Sequence, residues 1–296
     1  WAAAYRQLGK PYYPKLLNGL PHTPARGPRL LVRPGSAADA VSRALITTAL
    51  QAVAAQQLSS WHVAFPTDHE VELLRSHGLL VSHNVQFHWR DDGYGDFAGF
   101  MAAFSAERRR KLRAERRRVA ESGLRIEVRH GDEIDRGEWP TLHALYASTF
   151  DKYGNYAAFT AQCFADLAAA LGRRMVLFIA RADGVPVALS ICFRSADTLY
   201  GRYWGTSGNY HSLHFELCFY QGIDYCLREG LAIFEPGAGG EHKVARGFAP
   251  TVVRSCHWIA DERMRQLLEQ HLARQHPAVL AYAEEAASHL PFRKDG

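Results

Sequence analysis

The chain lacks any apolar run near the roughly 20 residues needed to cross a bilayer, and no signal peptide is visible. It begins at Trp1, already in mid-pattern, so further sequence is expected upstream. Cysteine is scarce. The five residues Cys163, Cys192, Cys218, Cys226 and Cys256 are odd in number and form no CxxC pair, which argues against a disulfide framework or a zinc knuckle. Four of them sit in apolar surroundings and read as buried, reduced thiols, a pattern that fits the cytoplasm. Excess charge is also missing from most of the chain. The net charge is +5, yet Glu107–Arg118 alone carries eight Lys/Arg against two Glu, leaving 27 basic and 28 acidic residues elsewhere. All the surplus is therefore on one segment. With 47% hydrophobic and 11% aromatic residues, the 296-residue chain can bury a sizeable core and is not disordered.

What is present is an alternation of helical and strand patterns. The first part reads as a helix end at Trp1–Leu8, a strand within Pro14–Leu20, a turn at Pro21–Pro28 and an extended piece at Arg29–Val32. A helix from Ala37 to about Leu58, capped by Ser36, precedes a strand at Trp61–Phe65, a helix at Asp68–His77 and a strand at Asn84–Trp89. Gly93–Gly95 marks a boundary, and Phe97–Ser122 reads as one long helix. A strand at Leu124–Arg129 and helices at Trp139–Phe150 and Phe159–Leu171 follow. Three strands come next, Met175–Ala180, Pro186–Arg194 and Leu199–Trp204, with a hairpin signal at Ala182–Gly184. A strand at Val252–Ile259 and helices at Asp261–His276 and Ala278–Leu290 close the chain. The order of elements recurs, which predicts an α/β (α+β) protein of two similar lobes. Residues 1–95 form a partial first lobe truncated at its N-terminus, 96–123 a basic connecting helix, and 124–296 a second lobe with a helical tail. Each lobe is expected to hold a mixed, mostly antiparallel sheet flanked by helices.

The chain is organised around Tyr200–Pro250, read as strand, polar glycine loop, buried helix, strand and glycine-rich loop. Gly205–Asn209 breaks the strand and Ser212 is the expected N-cap. From Leu213 to Leu227 nearly every face is apolar, so that helix belongs inside a core, and Gly230 suits its C-terminus. A polar loop feeding a helix N-terminus between parallel strands suits an anionic group, because free N–H groups and the helix dipole point at the loop.

The run NYHSLHFELCFYQGIDYCLREGL…FEPGAGGEHKVARGF resembles the FemAB-like family of bacterial N-acyltransferases, in the GNAT-like superfamily near the Fem-type aminoacyltransferases of peptidoglycan cross-bridges. YYPKLLNGLPHTPARGPRLL, the arginine-rich run after Phe104 and TFDKYGNYAAFTAQCF resemble it too, so the likeness covers nearly the whole chain. It implies two GNAT-like lobes and transfer of an acyl or aminoacyl group from a thioester or aminoacyl ester to a primary amine, in cell-wall precursor metabolism. Acyl-CoA or aminoacyl-tRNA would be the donor, with no metal. By position, the strand end at Tyr203, Trp204 and Thr206 would be the splay that polarises the carbonyl. Thr206, Ser207, Gly208, His211, Ser212 and His214 would lie along the donor. The usual acetyl-CoA signature, Arg/Gln-x-x-Gly-x-Gly/Ala, is absent, and Gly205-Thr-Ser-Gly208 is a poor substitute. In GxGGEHKxxRG, Arg246 matches the second residue of the Fem-type basic pair, while Ala245 stands at the first and Lys243 stands in for it. Lys15 and Arg29, flanking PHTPARGP beside Tyr12 and Tyr13, would help hold the acceptor, as would Lys152, Glu235 and Glu241.

The residues themselves leave several roles open. Glu216, one turn into an apolar helix, must be hydrogen-bonded or act as a base with a raised pKa. His242 is the other candidate proton acceptor, with Lys243 and Arg246 balancing negative charge. His211 and His214 would need a third ligand, Glu235 or Glu241, to hold a metal; a polar-network role is the plainer one for His214. Three readings fit Arg108, Arg109, Arg110, Lys111, Arg113, Arg116, Arg117 and Arg118. They could form a solvated face with pairs such as Glu107–Lys111, a contact to tRNA phosphates, or a contact to anionic lipid headgroups. A non-catalytic protein that binds a cell-wall precursor or RNA through the same cleft is the alternative to an enzyme.

Overall fold

A computed structural model describes residues 1–293. In chain order the elements begin with α1 (Ala2–Gln7), β1 (Leu16–Asn18), α2 (Ala38–Ala55), β2 (Ser60–Ala64), α3 (Asp68–Ser76) and β3 (Leu80–Arg90). Then come α4 (Phe97–Ala102), α5 (Ala106–Ala120), β4 (Arg125–His130), α6 (Trp139–Lys152) and α7 (Ala161–Leu171). The meander β5 (Met175–Ala182), β6 (Val185–Arg194) and β7 (Thr198–Thr206) leads into α8 (Leu213–Phe215), a π turn (Glu216–Tyr220) and α9 (Gln221–Glu229). β8 (Ile233–Glu235), β9 (Ala249–Ile259) and α10 (Glu262–Ser288) complete the list. The fold is mixed α/β, a large mixed sheet flanked by helices.

The chain divides into two compact units. One comprises Trp1–Gln86 and Pro250–Ala286; the other comprises Phe87–Ala249 and the chain from Ala287. In the first, the strand order is β1-β2-β9-β3, with β1 parallel and β9 antiparallel to β2. Its core gathers Ile46 and Val53 of α2, Trp61 and Val63 of β2, and Val71 and Leu74 of α3. Thr67 caps α3 through a full capping box with Glu70, whose carboxylate also accepts from the backbone N–H groups of Arg29 and Leu30.

In the second unit the order runs from the end of β3 through β8, β7, β6 and β5 to β4, antiparallel except for the parallel pair β7 and β8. The period-two alternation of β5 explains its two coatings. Leu177 and Ile179 join the core with Trp139, Leu142 and Phe164 of α6 and α7, whereas the Phe178 ring meets Tyr225 of α9. Asp183 and Gly184 both have positive φ, as a tight β5–β6 hairpin requires.

Several expectations change. The helix expected across Phe97–Ser122 is broken, because Ser105 turns out of α4 and caps α5 by accepting from the Arg108 N–H. Ser36 does not cap α2, whose N-cap is Ala37 without a side-chain bond. Pro277 lies inside the continuous α10 rather than between two helices. The five cysteines are free; burial holds the Cys192 and Cys256 thiols up at about 12.

Candidate functional site

Strand β7 organises the site. It pairs with β8 only at Thr198–Tyr200, then continues to Thr206 against β6 alone. A register shift inserts Arg202 between Gly201, opposite Cys192, and Tyr203, opposite Ile191. Helix α6 lies hard against the far end of β7. A Cβ on Gly205 would meet the Leu145 carbonyl oxygen at 1.8 Å, so only glycine permits this approach. The Thr149 hydroxyl donates to the Trp204 carbonyl (2.6 Å), and the Ser148 Oγ accepts from the Thr206 N–H (3.3 Å). Thr206 Oγ1 in turn accepts from the Gly208 N–H (3.3 Å), shaping the polar loop.

A cavity of about 680 Å³ opens between these pieces, within the size range of small-molecule sites. One wall is the end of α6, with Ser148, Thr149, Lys152 and Tyr153. The other is Trp204, Thr206, Ser207 and Gly208, continuing through Asn209 and Tyr210, with His214 at the helix start. The sequence reading named five of these lining residues as donor contacts. Lys152, expected at the acceptor, lies on the same wall as Ser148 and Thr149. Those two hydroxyls, with Tyr153, Asn209 and Tyr210, were missed.

Ser212 does not cap the helix. It sits at φ 66°, and its hydroxyl bonds His211 Nδ1 instead (2.8 Å). His214 is enclosed by the rings of Trp204 (5.2 Å between centroids) and Phe219 (5.5 Å), with His242 of the glycine-rich turn at 6.2 Å. The helix start and the glycine turn therefore meet. Burial, then the neighbouring His242, Arg246 and Lys243, lower the His214 pKa to about 4; burial followed by Arg246 and Lys243 lowers that of His242. Both imidazoles are neutral at neutral pH. Gly240 makes the packing feasible, since a Cβ there would strike the His242 ring at 2.5 Å.

The three other expected catalytic residues are turned to structural use. Glu216 is buried in the π turn, and its carboxylate accepts from Arg116 Nε (3.2 Å) and Nη2 (3.1 Å) and from Gln221 Nε2 (2.8 Å). Lys243 is 4% exposed and donates to the Gly237 carbonyl (2.7 Å); burial lowers its pKa to about 8. Arg246 stacks 3.5 Å from the Phe215 ring centroid and donates to Glu115 and to the His242 carbonyl, both at 2.8 Å. These two cations fasten the turn from within.

The remaining candidates scatter. The Tyr203 ring packs into the α6–α7 core beside Tyr146 and Phe164. Glu235 ends β8 opposite Tyr200, and Glu241 is exposed at the start of a 3₁₀ turn. In the first unit, Lys15 donates to the Tyr12 hydroxyl. Arg29 there is a buried knot, donating to the carbonyls of Ala25, Gly27, Pro28 and Ala64. Among the described residues, no group of three or more His, Cys, Asp or Glu could hold a metal ion, and no helix is long and apolar enough to cross a membrane.

The arginine run divides. Arg109 donates to the Ala102 and Phe104 carbonyls at the end of α4, Arg116 is tied to Glu216, and Lys111 pairs with Glu107. Arg110, Arg113, Arg117 and Arg118 remain exposed, Arg117 with only a 3.8 Å contact to Glu121.

The fold is shared with solved structures of low sequence identity. L-PGS from Bacillus licheniformis is 11% identical with a TM-score of 0.57, over 80% of this chain and 78% of that one. The C-terminal domain of a lysylphosphatidylglycerol synthetase from Agrobacterium fabrum is 12% identical with a TM-score of 0.55, over 78% and 77%. FemX is 11% identical with a TM-score of 0.51, over 78% and 79%. Comparison with curated proteins gives no match. The profile of the FemAB-like family, described as peptidoglycan biosynthesis/recognition, matches residues 1–294. That match takes in the splayed strand, the polar loop, the aromatic-walled histidine and the glycine-rich turn alike, and the chain belongs to the FemAB-like family.

Proposed function

We propose that the protein transfers an acyl or aminoacyl group from a thioester or an aminoacyl ester to a primary amine of a cell-wall precursor. The observation that carries this reading is a neutral imidazole, His214, on the wall of a cavity bounded by a polar loop and by the end of β7, where its pairing with β8 has stopped. The donor's carrier would lie along Thr206–Ser212 with Lys152 near its negative charge. CoA and tRNA both remain candidate carriers, and FemX and the lysylphosphatidylglycerol synthetase lend the general chemistry its plausibility. The amine lone pair attacks the carbonyl carbon and the C=O pair moves onto oxygen, where backbone N–H groups of β7 stabilise it. His214 takes the proton from the attacking nitrogen. Collapse of the tetrahedral intermediate re-forms the carbonyl and breaks the bond to the carrier's sulfur or ribose oxygen, which takes the proton back from His214 and leaves as thiol or hydroxyl.

The test is incubation with acyl-CoA and aminoacyl-tRNA pools plus amine-bearing precursors, followed by mass spectrometry of the amide product. His214→Ala is expected to lower kcat by about 10²- to 10⁴-fold with folding intact. Full turnover by that variant would remove His214 from the reaction. A thermal shift by donors with no product in any mixture would favour the non-catalytic binder instead.

A further inference from the structure

A second cavity, of about 620 Å³, lies beneath α5, away from the donor loop. Its apolar floor is Met101 of α4, Val119 of α5, and Leu124 and Ile126 where β4 begins, and Glu216 and Gln221 also line it. Its rim is cationic, formed by Arg113, Arg116 and Arg117 on one face of α5. Arg116 is fixed as an inner wall, its guanidinium 4.3 Å from the Phe97 ring centroid and bonded to Glu216. Arg113 and Arg117 are exposed above the apolar floor. Among the described residues β4 is an edge strand, paired with β5. The surplus positive charge of the whole chain is concentrated on this helix.

We propose that this face docks on an anionic membrane surface, with lipid phosphates on Arg113 and Arg117 and the upper part of one acyl chain in the cavity. The charge complements an anionic bilayer, to which each basic side chain near the surface adds affinity, and the floor offers what a headgroup contact alone does not need. A polynucleotide would satisfy the same arginines but has nothing to place against Met101, Val119, Leu124 and Ile126. Base stacking finds no free platform, because Arg116 covers Phe97. This inference does not rest on the transfer reaction.

The experiment is co-sedimentation of the full chain with phosphatidylcholine vesicles and with equimolar phosphatidylcholine–phosphatidylglycerol vesicles, at low salt. The protein is expected to partition onto the anionic vesicles only. The double variant Arg113→Gln/Arg117→Gln should bind them about 30-fold more weakly. Ala120→Trp, which places a bulky ring in the cavity from an exposed position, should also bind less. Thermal midpoints should match the parent, since all three side chains are exposed. Three results overturn the proposal. The parent chain could fail to bind anionic vesicles. Ala120→Trp could bind as well as the parent, which would reduce the contact to charge alone. Finally, the double variant could lose a short RNA duplex while keeping its vesicles.

Discussion

An imidazole enclosed by Trp204, Phe219 and a second imidazole titrates far below its ordinary range, and His214 is held at about 4. A lowered pKa keeps the base form dominant to lower pH, so activity that depends on His214 is lost only as pH falls toward 4. The acid limb of kcat/KM for His214 is therefore expected near 4, and a limb at 6.5 that vanishes in His214→Ala would contradict this geometry. The family resemblance put His214 along the donor loop but could not show what surrounds it, since Trp204 and His242 come from a strand and a turn on either side in sequence. Inner partners are hidden from the sequence for the same reason. Lys243 and Arg246 read as charges that balance a negative group, and the turn's own carbonyl at Gly237 and the distant Glu115 supply them with inner partners. Ser148 and Thr149 escaped notice because the strand whose backbone they bond, β7, lies more than fifty residues onward.

At the scale of elements, the Leu213–Glu229 segment was legible as a buried helix, and its π turn was not. An extra residue in the turn re-aims side chains, and Glu216 stands within it, clamped to Arg116 of α5. The pair works as a brace between two helices. Glu216→Gln should keep kcat within about three-fold, because a positioning carboxylate is not a proton acceptor, while lowering stability. Removing the charge leaves Arg116 half-buried beside a neutral amide, a cost of about 1–3 kcal/mol. Urea midpoints and kcat measured on the same preparation separate the two effects; a large kcat loss with unchanged stability would restore Glu216 as a catalytic base. The β5–β6 hairpin was legible because a short continuous apolar run, Met175–Ala180, and the Asp183–Gly184 turn are local signals. The break at Ser105 was local too, a capping serine followed by Glu107, but the apolar spacing across it suggested continuity.

Over the whole molecule, histidine sets the response to acid. His62, His83, His214, His242 and His257 all lie below their ordinary pKa, burial being the first cause at each. In the first unit the geometry gives a second reason. His62 Nδ1 and His257 Nδ1 face each other at 2.9 Å, while Tyr12, Ser60 and Ser82 bond the outer nitrogens. One inner nitrogen donates and the other accepts, an arrangement that survives only if at least one ring is neutral; a proton on each would set two N–H groups against one another. His62 is held at about 4 and His257 at about 3. Since the unfolded chain binds protons at its ordinary 6.5, it takes up more of them than the fold between pH 6.5 and those lower values. Stability from these groups is then complete above pH 6.5 and declines as pH falls through the window. A buried histidine held at about 4 contributes a loss on the order of 2 kcal/mol by pH 5. The urea midpoint is therefore expected to drop markedly between about pH 7 and pH 5, and the drop should shrink when His62→Gln removes one member of the facing pair. An equal midpoint at both pH values would mean that the histidines carry their protons into the fold, and the neutral base assigned to the site would fall with them.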